Sequence, residues 1–323
     1  MKLIPSPYQL GATLYMPATR QDIAEIILQN KIPDLRSLVI CLEDAVSERD
    51  LPAALENLND ILQTLAEAGR VCFDSAFSHG MPFGIKHACP LIFIRPRNDA
   101  MAKYLLTNIH LNVIDGLVLP KFTQASLPSW WELIKTTHLC VMPTLETEEV
   151  FDVQRMNELA DTLKESPFRD RIIALRIGGN DLMNVISLRR PREFTLYDGP
   201  MGYAIKMLVT VFSRRDFALT APVCEHIDDL KLLEKELSLD IAHGLVGKTA
   251  IHPKQIECIQ NALMVNAIDY ADAQSILNSR QAVFKSQGTM CEPATHQRWA
   301  VNILERAEYY GVKPEISIKP EVG

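Results

Sequence analysis

Nowhere does the sequence run to the ~20 consecutive apolar residues that a helix needs to cross a bilayer. Its opening residues, Met1-Lys2-Leu3-Ile4-Pro5, lack the apolar stretch of a secretion signal. The cysteines Cys41, Cys72, Cys89, Cys140, Cys224, Cys258 and Cys291 stand singly, with no CxxC spacing. That excludes a zinc ribbon or a disulfide framework and predicts buried, reduced thiols. A basic excess is missing too: 33 Lys and Arg face 40 Asp and Glu, for a net charge of -7. Nothing is left over to neutralise a nucleic-acid backbone. There is no HExxH and no GxSxG, so zincin and Ser/His/Asp hydrolase chemistry have no support. These absences predict a cytoplasmic protein with neither nucleic acid nor membrane as partner.

What is present is a chain of 323 residues, 47% hydrophobic and 23% charged, the composition of a folded globular protein. The length suits one large α/β barrel with additions, or two ordinary domains. Short apolar runs alternate with helix-period stretches, the pattern of repeated βα units. Strands are expected at Thr13–Met16, Leu38–Leu42, Leu91–Arg95, Leu117–Pro120, Cys140–Leu145, Ile172–Ile177, Phe217–Ala221 and Leu245–Ile251. Eight such runs predict an α/β fold of the closed (β/α)8, TIM-barrel type over residues 1–260. Ile23, Ile26 and Ile27 share one helix face, as do Leu55, Leu58, Ile61, Leu62 and Leu65, and Ala204–Phe212 reads as a further helix. From residue 261 to 323 the pattern changes to a C-terminal helical extension and a polar tail. Its helices are expected near Asp269–Ser286 and Thr295–Tyr310, joined by Gln287–Pro293.

Three of the strands end in acids: Glu43-Asp44, Glu146 and, after Gly178-Gly179-Asn180, Asp181. A strand ending in a carboxylate at the mouth of a parallel barrel suits a hard cation, and Mg²⁺ commonly takes only one or two protein carboxylates. Glu146 and Asp181 are the candidate metal ligands, although an acid at a helix N-terminus also serves as a cap. Arg95 ends the third strand, where its guanidinium would clamp a carboxylate or pair inertly with an acid such as Glu43. Lys121 stands equivalently on the fourth strand, and a metal-using site has no need of it as a Schiff-base lysine. Gly178 and Gly179 would offer backbone N–H groups to an anionic oxygen, or simply allow a tight turn. His252, before Pro253, reads as a structural histidine.

Taken in order, Leu42-Glu43-Asp44-Ala45-Val46, Arg95, Asp115-Gly116 with Pro120-Lys121, Glu146-Thr147, Gly178 to Leu182, and Gly247-Lys248 with Ile251-His252-Pro253-Lys254-Gln255 resemble the citrate lyase beta-subunit branch of the HpcH/HpaI aldolase family. The resemblance covers about Leu10 to Pro293. It implies a barrel of the phosphoenolpyruvate/pyruvate superfamily type and Mg²⁺, or Mn²⁺, on Glu146 and Asp181. Arg95 would bind a small carboxylated acid, with Lys121, Gly178 and Gly179 around it, and Glu43 and Asp44 would orient Arg95 and water. The implied reaction makes or breaks a carbon–carbon bond next to a 2-oxo or 2-hydroxy acid, often carried as a coenzyme A thioester such as citryl-CoA or malyl-CoA. Separately, the apolar positions Ile276, Leu277, Val283, Val301, Ile303 and Leu304 of the extension predict a homo-oligomer, trimer or hexamer, the alternative being a monomer whose helices fold back on their own barrel.

The chain also departs from that family. Gly11-Ala12 and Pro17-Ala18 replace an Arg-Ser pair and a Pro-Gly turn, and between Ser47 and Leu58 only Arg49 is basic, which leaves little to hold a carrier's phosphates. Where an Asp would follow Gly-x-Met-Ile, this chain reads Gly288-Thr289-Met290-Cys291-Glu292, so Glu292 stands either as the replacement acid with a longer arm or as a surface residue. The departures resemble a diverged branch that accompanies bacterial stress and tellurite-resistance gene clusters. The competing readings are a catalytically silent barrel acting as a binding or assembly subunit, and a thioester hydrolase of the same superfamily.

Overall fold

The computed structural model describes residues 4–71 and 89–313; Cys72 and the end of the C-terminal tail lie outside them. Two compact units are present, divided between Ile259 and Gln260. The first is built on eight strands: β1 (Gly11–Pro17), β2 (Ser37–Cys41), β3 (Leu91–Arg95), β4 (Gly116–Leu119), β5 (Cys140–Leu145), β6 (Leu175–Ile177), β7 (Leu219–Thr220) and β8 (Gly247–Ala250). Every pairing is parallel and follows chain order, and β8 returns to pair with β1. The remaining seam, between β7 and β8, is closed by Ala221 N donating to Gly247 O at 2.7 Å and Val246 N to Leu219 O at 2.9 Å. The expected (β/α)8 barrel is the fold observed.

Its strands are buried on both faces, which is why they read as unbroken apolar runs rather than as alternation. Leu38, Val39, Ile40, Ile92, Phe93, Ile94, Leu117 and Val118 are all fully buried. The helices α1 (Ile23–Leu28), α2 (Leu51–Glu67), α3 (Asp99–Asn108), α4 (Leu127–Ile134), α5 (Val153–Glu165), α6 (Asn180–Val185), α7 (Pro200–Ser213), α8 (Leu230–Ala242) and α9 (Lys254–Leu263) follow the strands. In α2 the buried residues Ala54, Leu58, Ile61, Leu62 and Leu65 recur at helical spacing, and Pro52 sits in the first turn, where no N–H is needed. The strands β6 to β8 are shorter than expected. Ile172 joins Val141 only through an isolated bridge, and the regular ladder with β5 begins at Arg176.

The second unit has its own core of Val265, Ala273, Ile276, Cys291, Ala300 and Ile303. Here the structure corrects the expected helix over Asp269–Ser286. Helix α10 (Ala267–Asn278) stops early, and Phe284–Ser286 forms strand β9, antiparallel to β10 (Thr289–Cys291). The cause is the two-residue turn Gln287-Gly288. Both residues have positive φ, 46° and 83°, the conformation whose twist suits a tight hairpin. Helix α11 (Pro293–Tyr310) completes the unit. No helix among the described residues is long and apolar enough to cross a membrane. Of the described cysteines, all free, Cys41, Cys140, Cys224 and Cys291 are buried, whereas Cys89 and Cys258 are only half-buried.

Candidate functional site

Because the strands run parallel, the residues that follow β2, β3, β4, β5 and β6 emerge at one end of the barrel. Glu43, Arg95, Lys121, Glu146 and Gly178 meet there. Arg95 Nη2 bridges two buried carboxylates, Glu43 Oε2 at 2.5 Å and Glu146 Oε1 at 2.9 Å. Arg95 therefore pairs with Glu43, the inert reading of the two, and with the metal candidate Glu146 as well. Burial works against its charge, but Glu146, Tyr15 and Glu43 outweigh that and raise its pKa above the ordinary guanidinium value.

Lys121 enters in an unexpected way. Its φ of 46° is left-handed, uncommon for a residue with a side chain. That conformation presents its backbone N–H to Glu146 Oε1 at 2.8 Å. Its ammonium reaches Glu43 Oε1 at 3.2 Å and is half exposed. Lys121 is thus an orienting group for both acids.

Glu146 caps no helix. The 3₁₀ turn after it is led by Thr147, and Asp152 caps α5. Asp181 lies in the first turn of α6 without a side-chain capping bond. Burial, opposed by Arg95 and reinforced by repulsion from Asp181, pushes the Glu146 pKa up to about 7. Two acids that repel each other, one of them buried, make a place where a divalent cation fits by the chemistry of the donors. Arg95 and Lys121 hold Oε1, and Gly178 packs closely against the rest of the side chain, Oε2 included. A Cβ on Gly178 would lie 2.3 Å from Glu146 Cβ and 2.9 Å from Oε2. Glycine is required here for room, and the expected role of its N–H as an anion donor is corrected, because that N–H is spent on Leu145 O at 3.0 Å. Gly179 takes the N-cap position of α6. Among the described residues no group of three or more His, Cys, Asp or Glu side chains is placed to hold a metal, so any ion here takes its other ligands from water and substrate.

Burial, opposed by Arg95 and reinforced by the neighbouring Asp44, also raises the Glu43 pKa. Asp44 itself is exposed. Glu292 belongs to the second unit, at the N-terminus of α11. Its N–H donates to His296 Nδ1 at 3.2 Å, and its carboxylate accepts from Thr295 Oγ1 at 3.2 Å.

Two structural clamps were not foreseen. Arg97 donates to Leu42 O at 2.9 Å and Val46 O at 2.6 Å and pairs with Glu48, tying down the turn that carries Glu43. Lys248, which forms part of the recognised motif, is buried outside the barrel wall between Glu236 at 2.8 Å and Asp240 at 2.9 Å. Arg190 joins Glu236 at 2.6 Å, and Tyr197 donates to Asp240 at 2.7 Å. An arginine between Pro96 and Asn98, or a lysine after glycine, carries no signal of such partners.

Residues 4–312 match the family model described as a C–C bond lyase of the TIM-barrel fold. The chain belongs to this family. Its activity is therefore that of a carbon–carbon bond lyase or aldolase, and the resemblance to the HpcH/HpaI and citrate lyase group is borne out. No curated protein matches this lyase by sequence. Among solved structures it is similar to the protein CitE from Mycobacterium tuberculosis in complex with magnesium, acetoacetate and coenzyme A. The identity is 19%, the TM-score 0.63, and the match covers 93% of this chain and 99% of that one. RipC from Yersinia pestis matches at 20% identity and TM-score 0.56, over 80% and 96% of the two chains. The citrate lyase beta subunit from M. tuberculosis, complexed with oxaloacetate and magnesium, matches at 18% and 0.53, over 79% and 98%. At these identities the structures speak to the fold.

Proposed function

We propose that this lyase binds Mg²⁺, or Mn²⁺, on Glu146 and Asp181 and acts on a small 2-oxo or 2-hydroxy acid. The observation that carries the reading is Glu146. One of its oxygens is fixed by Arg95 and Lys121 N, and the other lies against Gly178, where no side chain fits, within the field of Asp181. A bound divalent ion would draw electron density from the oxygens of a chelating acid. The chain's own groups do the rest. Glu43 holds Arg95 in place, Arg95 turns its remaining N–H groups to the acid's carboxylate or carbonyl, and the Arg97 clamp keeps the Glu43 turn still. The magnesium and small acids named for the similar M. tuberculosis structures support this choice. For a coenzyme A carrier, basic residues near the mouth would be needed. Arg49, the single basic residue between Ser47 and Leu58, is almost fully exposed and lies 3.5 Å from Asp50. We therefore take the free acid as the first substrate class and its thioester as the second.

Calorimetry tests the reading. Wild-type protein should take up Mg²⁺, Glu146→Gln and Asp181→Asn should each weaken that uptake at least tenfold, and a panel of 2-oxo acids should bind only with the ion present. A wild-type protein that takes up neither Mg²⁺ nor Mn²⁺ would end it.

A further inference from the structure

The barrel interior holds a second arginine that none of the motifs accounts for. Arg176 is the middle residue of β6, in register with Thr144 on β5 and Thr220 on β7, and is 2% exposed. Its guanidinium crosses the barrel. Nη2 donates to Thr249 Oγ1 on β8 at 2.5 Å, and Nη1 to Thr13 Oγ1 on β1 at 3.4 Å. Met142 Sδ is 3.7 Å from Nη1, and the guanidinium carbon lies over the Tyr15 ring, 5.3 Å from its centroid.

All of these partners are neutral. Among the described residues no carboxylate stands within ion-pair distance of Arg176, whereas the buried cations Arg70, Arg190 and Lys248 each have at least one. Arg171, also buried, is met instead by backbone carbonyls, including Leu139 O at 2.9 Å and Thr137 O at 2.7 Å. The hydroxyls of Thr144 and Thr220, beside Arg176, are buried without a hydrogen-bond partner. A charge taken out of water needs compensation that hydroxyl dipoles supply only in part. Burial, eased by Tyr15 and reinforced by the like charge of Arg95, pulls the Arg176 pKa below its ordinary value, the direction opposite to that of the paired Arg95. Within β1 and β8, Tyr15 and Thr249 are partly exposed while their neighbours Leu14, Met16, Lys248 and Ala250 are buried. Space open to solvent therefore reaches the two side chains that touch the guanidinium.

We propose that Arg176 is a second anion-binding residue of the site, receiving a carboxylate of the ligand beside Thr249 and Tyr15 while Arg95 and the acids of β5 and β6 hold the reacting end. The inference rests on the reading of Glu146 and Asp181 as the metal site, and adds that the site selects acids with a second carboxylate. Arg176 on β6, reaching β8 and β1, and Arg95 on β3 would then bind opposite ends of one ligand.

The test is calorimetry of malate and lactate, 2-hydroxy acids that differ by one carboxylate, with saturating Mg²⁺. Wild-type protein should bind malate at least tenfold more tightly than lactate. Arg176→Met should erase that preference and leave lactate affinity within about twofold. Thr249→Asp, which supplies the missing countercharge from inside, should erase it too, and it decides the matter should Arg176→Met fail to fold. The subsite is overturned if wild-type protein takes up Mg²⁺ but shows no preference for malate, if the preference survives in both variants, or if both acids weaken equally. Absence of Mg²⁺ uptake by wild-type protein overturns the metal site and this inference together.

Discussion

Gly178→Ala is the smallest change that separates a site built around Glu146 from a mere strand-to-helix connection. The added Cβ would stand 2.3 Å from Glu146 Cβ and 3.3 Å from its Cα. Neither is the far end of a flexible side chain, so the backbone of β5 or of the Gly178 turn has to move. Overpacking of that kind costs about 1–3 kcal/mol. In a chain of this size that corresponds to a fall in Tm of roughly 2–12 °C, at 2–4 °C per kcal/mol. The metal should suffer more than the fold, because the displaced atoms belong to the ligand itself, and Mg²⁺ affinity should drop at least tenfold. Two controls calibrate the result. A Cβ on Gly179 meets Pro222 Cβ at 3.2 Å, a contact that small adjustments relieve, and a Cβ on Gly199 meets nothing within 4 Å. Gly179→Ala should therefore be mild and Gly199→Ala neutral. Thermal denaturation and Mg²⁺ calorimetry on the three variants read this out. A Gly178→Ala protein with wild-type Tm and wild-type Mg²⁺ affinity would refute the claim that this glycine makes room for a working carboxylate.

The metal-free protein should be less stable at pH 8 than at pH 5 as far as Glu146 is concerned. Its folded pKa of about 7 lies above the ordinary 4.5, so the native state holds a proton that the unfolded chain has released, and stability falls as pH rises between those values. Mg²⁺ should accordingly raise Tm more at pH 8 than at pH 5, and an equal shift at both would contradict direct ligation. Arg95→Lys keeps the charge but cannot serve Glu43 and Glu146 from one planar fork. Turnover should fall at least tenfold, about 1.4 kcal/mol at the transition state, with the circular dichroism spectrum unchanged; an unfolded variant would instead make Arg95 a purely structural partner. Lys248→Met leaves Glu236 and Asp240 buried beside each other with one cation fewer, and should destabilise by about 3–5 kcal/mol in chemical denaturation. A near-neutral effect would show that the Arg190 pair alone carries that network.

The barrel was legible because its signal is local. A strand buried on both faces must be apolar from end to end, and β3 and β5 begin and end where the apolar runs do, at Leu91–Arg95 and Cys140–Leu145. The acids and Arg95 were legible for the same reason, as charged residues that close such runs. Legibility failed where the deciding partner is distant in sequence or where backbone conformation outranks pattern. The Gln287-Gly288 turn converts the end of a helix-period stretch into a hairpin. The buried Arg176 reads in sequence as a polar residue within an apolar strand, without the Thr13 and Thr249 hydroxyls that receive it across 163 and 73 residues.

By itself, then, the sequence determined the alternation of strand and helix, and hence the barrel and the shared direction of its strand ends, since those follow from burial and chain order. Only the tertiary structure decided what each charge does. It turned Lys121 N–H onto Glu146, placed Gly178 where any side chain would strike that acid, gave Lys248 two buried carboxylates and left Arg176 with none. Electrostatic roles depend on distances across the barrel, and a linear pattern of residues does not contain them.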